Sequence, residues 1–192
     1  MYRIRFHGRG GQGMKTASRI LGTAFFREGY EVQDAPRYGA ERRGAPIFAY
    51  VRANHQPINE RGIITQPDLV IVADDSLVPV PAAGVLTGID SHSVLLINTD
   101  ETTETWKHRL NLDCEIFTLP AEAKDRDELR FIGATCCGAA AQLLGVISRD
   151  TLQQAISEEL AALGDAVIAK NLARALHAYD SMQDHRGCVS TT

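Results

Sequence analysis

Gly8, Gly10 and Gly13 stand at GxGxxG spacing inside the run His7-Gly8-Arg9-Gly10-Gly11-Gln12-Gly13, and what flanks that run constrains the fold most. Before it, Tyr2 to His7 has strand character. After it, Ala17, Ile20, Leu21, Ala24 and Phe25 fall at i, i+3, i+4, i+7 and i+8, the apolar stripe of a helix. Gly29 follows the stripe where a left-handed C-terminal cap belongs, and Tyr30 to Gln33 begins a second strand. The chain therefore opens as β-α-β with a glycine turn between strand and helix. At such a turn the helix presents unpaired N–H groups and partial positive charge, so an anion fits there. Glycine is needed because a Cβ blocks positive φ angles and the close approach of a phosphate.

The rest of the pattern continues the same architecture. Pro46 to Arg52 alternates Ile47, Ala49 and Val51 against Phe48, Tyr50 and Arg52, as a strand with differently packed faces does. Leu69 to Ala73 and Val94 to Ile97 are continuous apolar runs, as strands covered on both faces are. Asp75 to Pro81 is too rich in proline for more than one helical turn, and Glu115 to Leu119 supplies a further strand. Three helical stripes close the chain: Ile132 to Ile147, Leu152 to Leu163 and Ile168 to Tyr179. Gly133, Gly138 and Ala139-Ala140-Ala141 leave one side of the first of these slim enough for another helix to approach closely, either within the domain, the favoured reading, or in a partner. The expected fold is α/β, a Rossmann-like open, mostly parallel sheet with flanking helices and a helical C-terminal third. One domain is expected over 1–182, with a loose tail over 183–192.

Composition narrows the function. A formal charge of −4 and a pI near 5.9 give no global attraction to nucleic acid or to an anionic membrane, so an anion site must be a local cluster. No apolar run reaches the ~18 residues of a spanning helix and the N-terminus lacks a signal-peptide core, so the chain reads as cytoplasmic, with no nucleic-acid or membrane partner. Cys114, Cys136, Cys137 and Cys188 form no CxxC pair and are read as buried, reduced thiols, not as ligands of an iron–sulfur cluster. The histidines show neither HxH nor HExxH spacing, so no metal site is expected.

Three readings of the glycine loop compete. Asp34 lies some twenty residues past the last glycine, where a dinucleotide site places its ribose-binding acid, so NAD binding by a free-standing oxidoreductase is one. A nucleotide-sensing domain is a second, and a tight turn without ligand a third. Gln12 stands where dinucleotide sites have a small or apolar residue, and no second domain with an acid/base pair for hydride transfer is legible. The segment Asp34 to Pro46 instead brings Arg37, Arg42 and Arg43 toward the same sheet edge, as recognition of phosphate, carboxylate or an acidic partner surface requires. Asp74-Asp75 follow a strand end and either cap the next turn or face a ligand. His7 reads as a structural residue ending a buried strand, and Lys15 as an exposed residue of the helix's first turns.

These residues carry a family resemblance. The strand with His7-Gly8-Arg9-Gly10-Gly11-Gln12-Gly13 and Ala17-Ser18-Arg19-Ile20-Leu21 resembles the gamma subunit, or gamma domain, of pyruvate:ferredoxin and other 2-oxoacid:acceptor oxidoreductases. Tyr38-Gly39-Ala40-Glu41-Arg42-Arg43-Gly44 is similar to the family's YGxExRG segment, Pro67-Asp68-Leu69 to its PDxL, and Lys170 to Ala175 to its closing NxxA helix. Glu-Arg-Arg-Gly-Ala-Pro looks more like the pyruvate type than the 2-oxoglutarate type, while Phe131-Ile132-Gly133 departs from the family's asparagine-containing helix start. The resemblance implies a subunit inactive alone. Alpha, beta and delta-type partners would carry thiamine diphosphate and iron–sulfur clusters and pass electrons to ferredoxin, while the gamma portion closes the active site and contacts CoA. On that basis Gly8, Arg9, Gly10, Gly11, Gln12 and Gly13 are the expected anion-binding residues, joined by Arg42 and Arg43 at the charged end or in docking.

Overall fold

The computed structural model describes residues 1–37, 46–121 and 128–191. Six strands form one sheet in the order β2-β3-β1-β4-β5-β6. They are β1 (Tyr2–Arg9), β2 (Glu31–Arg37), β3 (Pro46–Asn54), β4 (Leu69–Val72), β5 (Val94–Thr99) and β6 (Glu115–Pro120). β3 runs antiparallel to both neighbours and every other pairing is parallel, so five strands share one direction. The expected α/β sheet, mostly parallel with flanking helices and a helical final third, is what the chain adopts.

The placement of β3 is the main departure. A β-α-β opening of the dinucleotide kind sets its second strand beside its first, but here β3 is inserted between β1 and β2. The alternation in Pro46 to Arg52 already distinguished this strand from the continuous apolar runs of β4 and β5, since a hairpin strand carries two unlike faces.

One sheet face carries α1 (Met14–Arg27), α3 (Ile132–Leu144), α4 (Arg149–Glu159) and α5 (Asp165–Ser181), packed over Ile4, Phe6, Ile71 and Leu96. The slim side of α3 meets α5: a Cβ on Gly138 would sit 1.9 Å from the Ala175 carbonyl oxygen. Close helix approach within the domain is therefore what the small residues serve.

The other face is covered differently on its two halves. Over β4 and β5, Val70, Val72, Leu95 and Ile97 pack beneath the 3₁₀ turns Asp75–Leu77 and Pro81–Ala83 and beneath α2 (Thr103–Leu110). Asp75 to Pro81 holds the single turn Asp75–Leu77 that its prolines allow, and the second turn begins only at Pro81. Over β1 and β3 the cover is irregular chain, whose carbonyls need donors. Arg5, buried on β1, supplies them to Thr87 at 2.7 Å, Val85 at 2.8 Å and Ile64 at 3.4 Å. Arg52 does the same for Gly62 at 3.1 Å.

One helix was not foreseen and one expectation is corrected. α2 buries only Trp106, so its sequence shows no apolar stripe; its signal is the cap, where the Thr102 hydroxyl accepts the Thr105 N–H at 3.2 Å. The tail predicted to be loose from 183 is docked as far as Val189, which is 3% exposed and donates its N–H to Leu143 at 3.1 Å. A single apolar residue anchored by backbone hydrogen bonds leaves no periodicity to read.

Candidate functional site

Between β1 and β4 the chain order reverses: β1 leads away through α1 to β2, and the succession β4, β5, β6 builds the other way. Open α/β sheets bind ligands at the strand C-termini beside such a point. The turn Gly10-Gly11-Gln12-Gly13 lies there on one side, and Asp74, Asp75 and Ser76 on the other.

The glycines divide by role. Gly8 is an internal packing position, since a Cβ there would lie 2.5 Å from the Met14 Cγ. Gly13 is the left-handed N-cap of α1, with φ 74°, and its carbonyl accepts the Ala17 N–H at 2.8 Å. α3 closes over it: a Cβ on Gly133 would come within 2.8 Å of the Gly13 oxygen, so the N-terminal ends of two helices meet at this turn. Gly11 is the open position. It has φ 98°, it is exposed, and nothing stands within 4 Å of where its Cβ would be.

Gln12 stiffens the turn. Its Oε1 accepts the Arg9 N–H at 2.7 Å while its own N–H reaches the Arg9 carbonyl at 3.1 Å, and the side chain is buried. Arg9 crosses the crevice, with Nε 2.9 Å from Asp74 Oδ2 and Nη2 2.8 Å from the Ser76 hydroxyl. Asp74 caps the following turn by accepting the Ser76 N–H at 3.1 Å, the capping alternative of the sequence reading. Asp75 accepts the Thr99 hydroxyl at 2.6 Å, and the Trp106 indole N–H reaches the same hydroxyl at 3.3 Å. Arg9 thus presents an already oriented guanidinium, pinned by a carboxylate rather than swinging free.

Below the crevice His7 is 2% exposed, its ring edge-on to Phe48 at 5.4 Å between centroids, and neither ring nitrogen has a hydrogen-bond partner. Burial, reinforced by the nearby Arg5 charge, pushes its pKa down to about 3. The Ala83 backbone offsets little of this, lying near the ring without hydrogen-bond geometry. His7 is a neutral core residue, as read from the sequence.

Arg42 and Arg43 lie outside the described residues. Pro46, where that segment rejoins the sheet, pairs with Arg9 at the glycine-loop edge. Asp34 is described, and it does not take the ribose-binding position: it pairs with Val51, which pairs with Ile4, so it sits mid-sheet on an edge strand separated from β1 by β3. The thiols do not converge on a cluster-binding group. Cys136 and Cys137 are wholly buried in α3, the first pushed up to about 12 by burial and the second well above its ordinary value. Cys188, expected to be buried, is exposed. Gly133 is the site residue that sequence reasoning placed but did not connect to the loop; a glycine at the start of a helix was its only signal. Among the described residues no helix is long and apolar enough to cross a membrane.

Comparison with known proteins yields a consistent set. The family profile for pyruvate ferredoxin/flavodoxin oxidoreductase matches residues 3–181. The pyruvate synthase subunit PorC of Methanothermobacter marburgensis is 37% identical over 190 residues, covering 97% of this chain and all of that one. The common gamma subunit of the pyruvate/ketoisovalerate oxidoreductases of Pyrococcus furiosus is 34% identical over 95% of this chain and 98% of its own. Among solved structures, the pyruvate oxidoreductase subunit PORC of Thermotoga maritima superimposes with a TM-score of 0.73 at 28% identity, covering 93% of this chain and 95% of that one.

Proposed function

This chain belongs to the pyruvate ferredoxin/flavodoxin oxidoreductase family, and from that premise we propose that it is the gamma-type subunit of a CoA-acylating 2-oxoacid:ferredoxin oxidoreductase. Pyruvate is the favoured oxoacid, in keeping with the names of the relatives and with Glu-Arg-Arg-Gly-Ala-Pro at 41–46. The observation that carries the reading is the open turn at Gly10-Gly11, at the N-terminus of α1, in the crevice where the strand order reverses.

In this reading the chain binds and orients; it does not itself carry the redox chemistry. Alpha, beta and delta-type subunits would carry the thiamine diphosphate and iron–sulfur clusters that supply decarboxylation of the oxoacid and electron transfer to ferredoxin. The residues here favour the acyl acceptor: the Gly10 and Gly11 backbone and the helix N-terminus suit the pyrophosphate of CoA, and Arg9, held by Asp74, adds a fixed cation beside it. Arg42 and Arg43 are assigned, from the sequence, to the charged end of CoA or to docking. The burial of Gln12 and its bonds to Arg9 give it the role of holding the turn's shape. Asp34, mid-sheet, leaves the dinucleotide alternative without its ribose acid.

The test is CoA titration into the assembled enzyme carrying Arg42→Ala or Arg43→Ala. Loss of one charge-assisted contact worth ~1.5–3 kcal/mol raises the apparent CoA requirement about tenfold or more. An unchanged requirement in both variants removes the arginine loop from CoA recognition.

A further inference from the structure

We propose that the cleft between α1, α4 and β2 is a docking surface for a neighbouring subunit that presents a lysine or arginine beside an apolar side chain. The inference rests on the subunit reading but concerns a different surface. α1 starts at the glycine loop and runs 14 residues, about 21 Å, so its last turn lies toward the opposite end of the sheet.

Three observations coincide in this cleft, which encloses about 400 Å³. Phe26, in the last turn of α1, is 71% exposed, the most exposed large hydrophobic side chain among the described residues. β2 forms the wall and, among the described residues, has only β3 beside it. Gly22 carves the floor, letting α1 approach β2 until a Cβ on it would be 3.3 Å from the Val32 side chain.

The charge on the cleft selects the partner. Arg19 pairs with Glu159 at 2.6 Å, and Arg27 with Glu158 at 2.6 Å, while the Thr23 hydroxyl also donates to Glu159 at 2.7 Å. Those pairs neutralise two of the four carboxylates that line or border the groove, leaving Glu31 and Asp34 as its net charge. Asp34 is the informative one. Its Oδ1 is buried without a partner in hydrogen-bond geometry, while the Ser18 hydroxyl and the Arg19 charge lie close enough to act on the carboxylate. A cationic side chain entering the cleft meets the carboxylates of Glu31 and Asp34 while its apolar neighbour covers Phe26. A small anionic ligand or an acidic segment meets the wrong charge.

The experiment is co-purification of the assembled enzyme through a tag on this chain, carrying Phe26→Ser, Asp34→Asn or, as a control on the opposite sheet face, Ile63→Ser, which alters another exposed apolar residue. Retention of the larger subunits should weaken about tenfold or more with Phe26→Ser and Asp34→Asn and hold with Ile63→Ser. Thermal unfolding of each isolated variant should match the parent, separating lost docking from lost folding. Full retention by both cleft variants overturns the inference while leaving the subunit reading intact. A parent chain that retains no larger subunit overturns that reading and this one with it. A self-dimer of the isolated chain that Phe26→Ser dissolves also overturns the inference, since the occupant is then a second copy.

Discussion

Replacing Gly138 with valine should lower stability by ~3 kcal/mol or more and the unfolding midpoint by about 6–12 °C. Helix propensity pulls the other way, because glycine inside a helix is worse than alanine by ~1 kcal/mol. Sterics decide the sign: even the first carbon of a side chain at 138 lands 1.9 Å from the Ala175 carbonyl oxygen, which is backbone and has no rotamer to yield. α3 and α5 must part, opening the packing between Gly138 and Ala175. Gly138→Ala should destabilise too, by less. The measurement is denaturant or thermal unfolding of both variants; a midpoint for Gly138→Ala at or above that of the parent refutes the close approach. Because α3 also bears Gly133 against the glycine turn, loosening this helix pair disturbs the candidate site as well.

Acidification should cost the fold about 2 kcal/mol between pH 7.5 and 5 through His7 alone. The folded pKa is depressed to about 3 while the unfolded value is near 6.5. The group therefore contributes stability above pH 6.5, and that contribution falls away as the pH drops from 6.5 toward 3, because only the unfolded chain takes up the proton. No carboxylate is among the groups that act on the imidazole: the charge beside it is Arg5, which opposes protonation. Unfolding free energies of the parent and of His7→Leu at both pH values isolate the effect, since the other titrating groups are common to the two proteins. Equal pH dependence in the two proteins shows that His7 gains a proton when folded.

Much of this was readable from the chain. The GxGxxG turn, the apolar runs of β4 and β5 and the stripes of α3, α4 and α5 are local patterns, and each folds as its period dictates. What was not readable is non-local. Nothing in Glu31 to Arg37 says that β3 will intervene between it and β1, and that one insertion moves Asp34 from a ligand's ribose to the floor of an outer cleft. The pinning of Arg9 by Asp74, 65 residues away, and the lid that Gly133 forms over Gly13 arise only when distant segments meet. Composition likewise gave no reason for a buried arginine at position 5, which makes sense only once irregular chain with orphan carbonyls covers that half of the sheet.

Acyl-CoA formation from pyruvate by the partner subunits, measured with and without this chain, tests the central claim most directly. The account predicts that the partner subunits alone form little acyl-CoA and that adding this chain restores CoA-dependent turnover, with the CoA requirement rising when Arg42 or Arg43 is replaced. The same acyl-CoA yield and CoA dependence in its absence would contradict it.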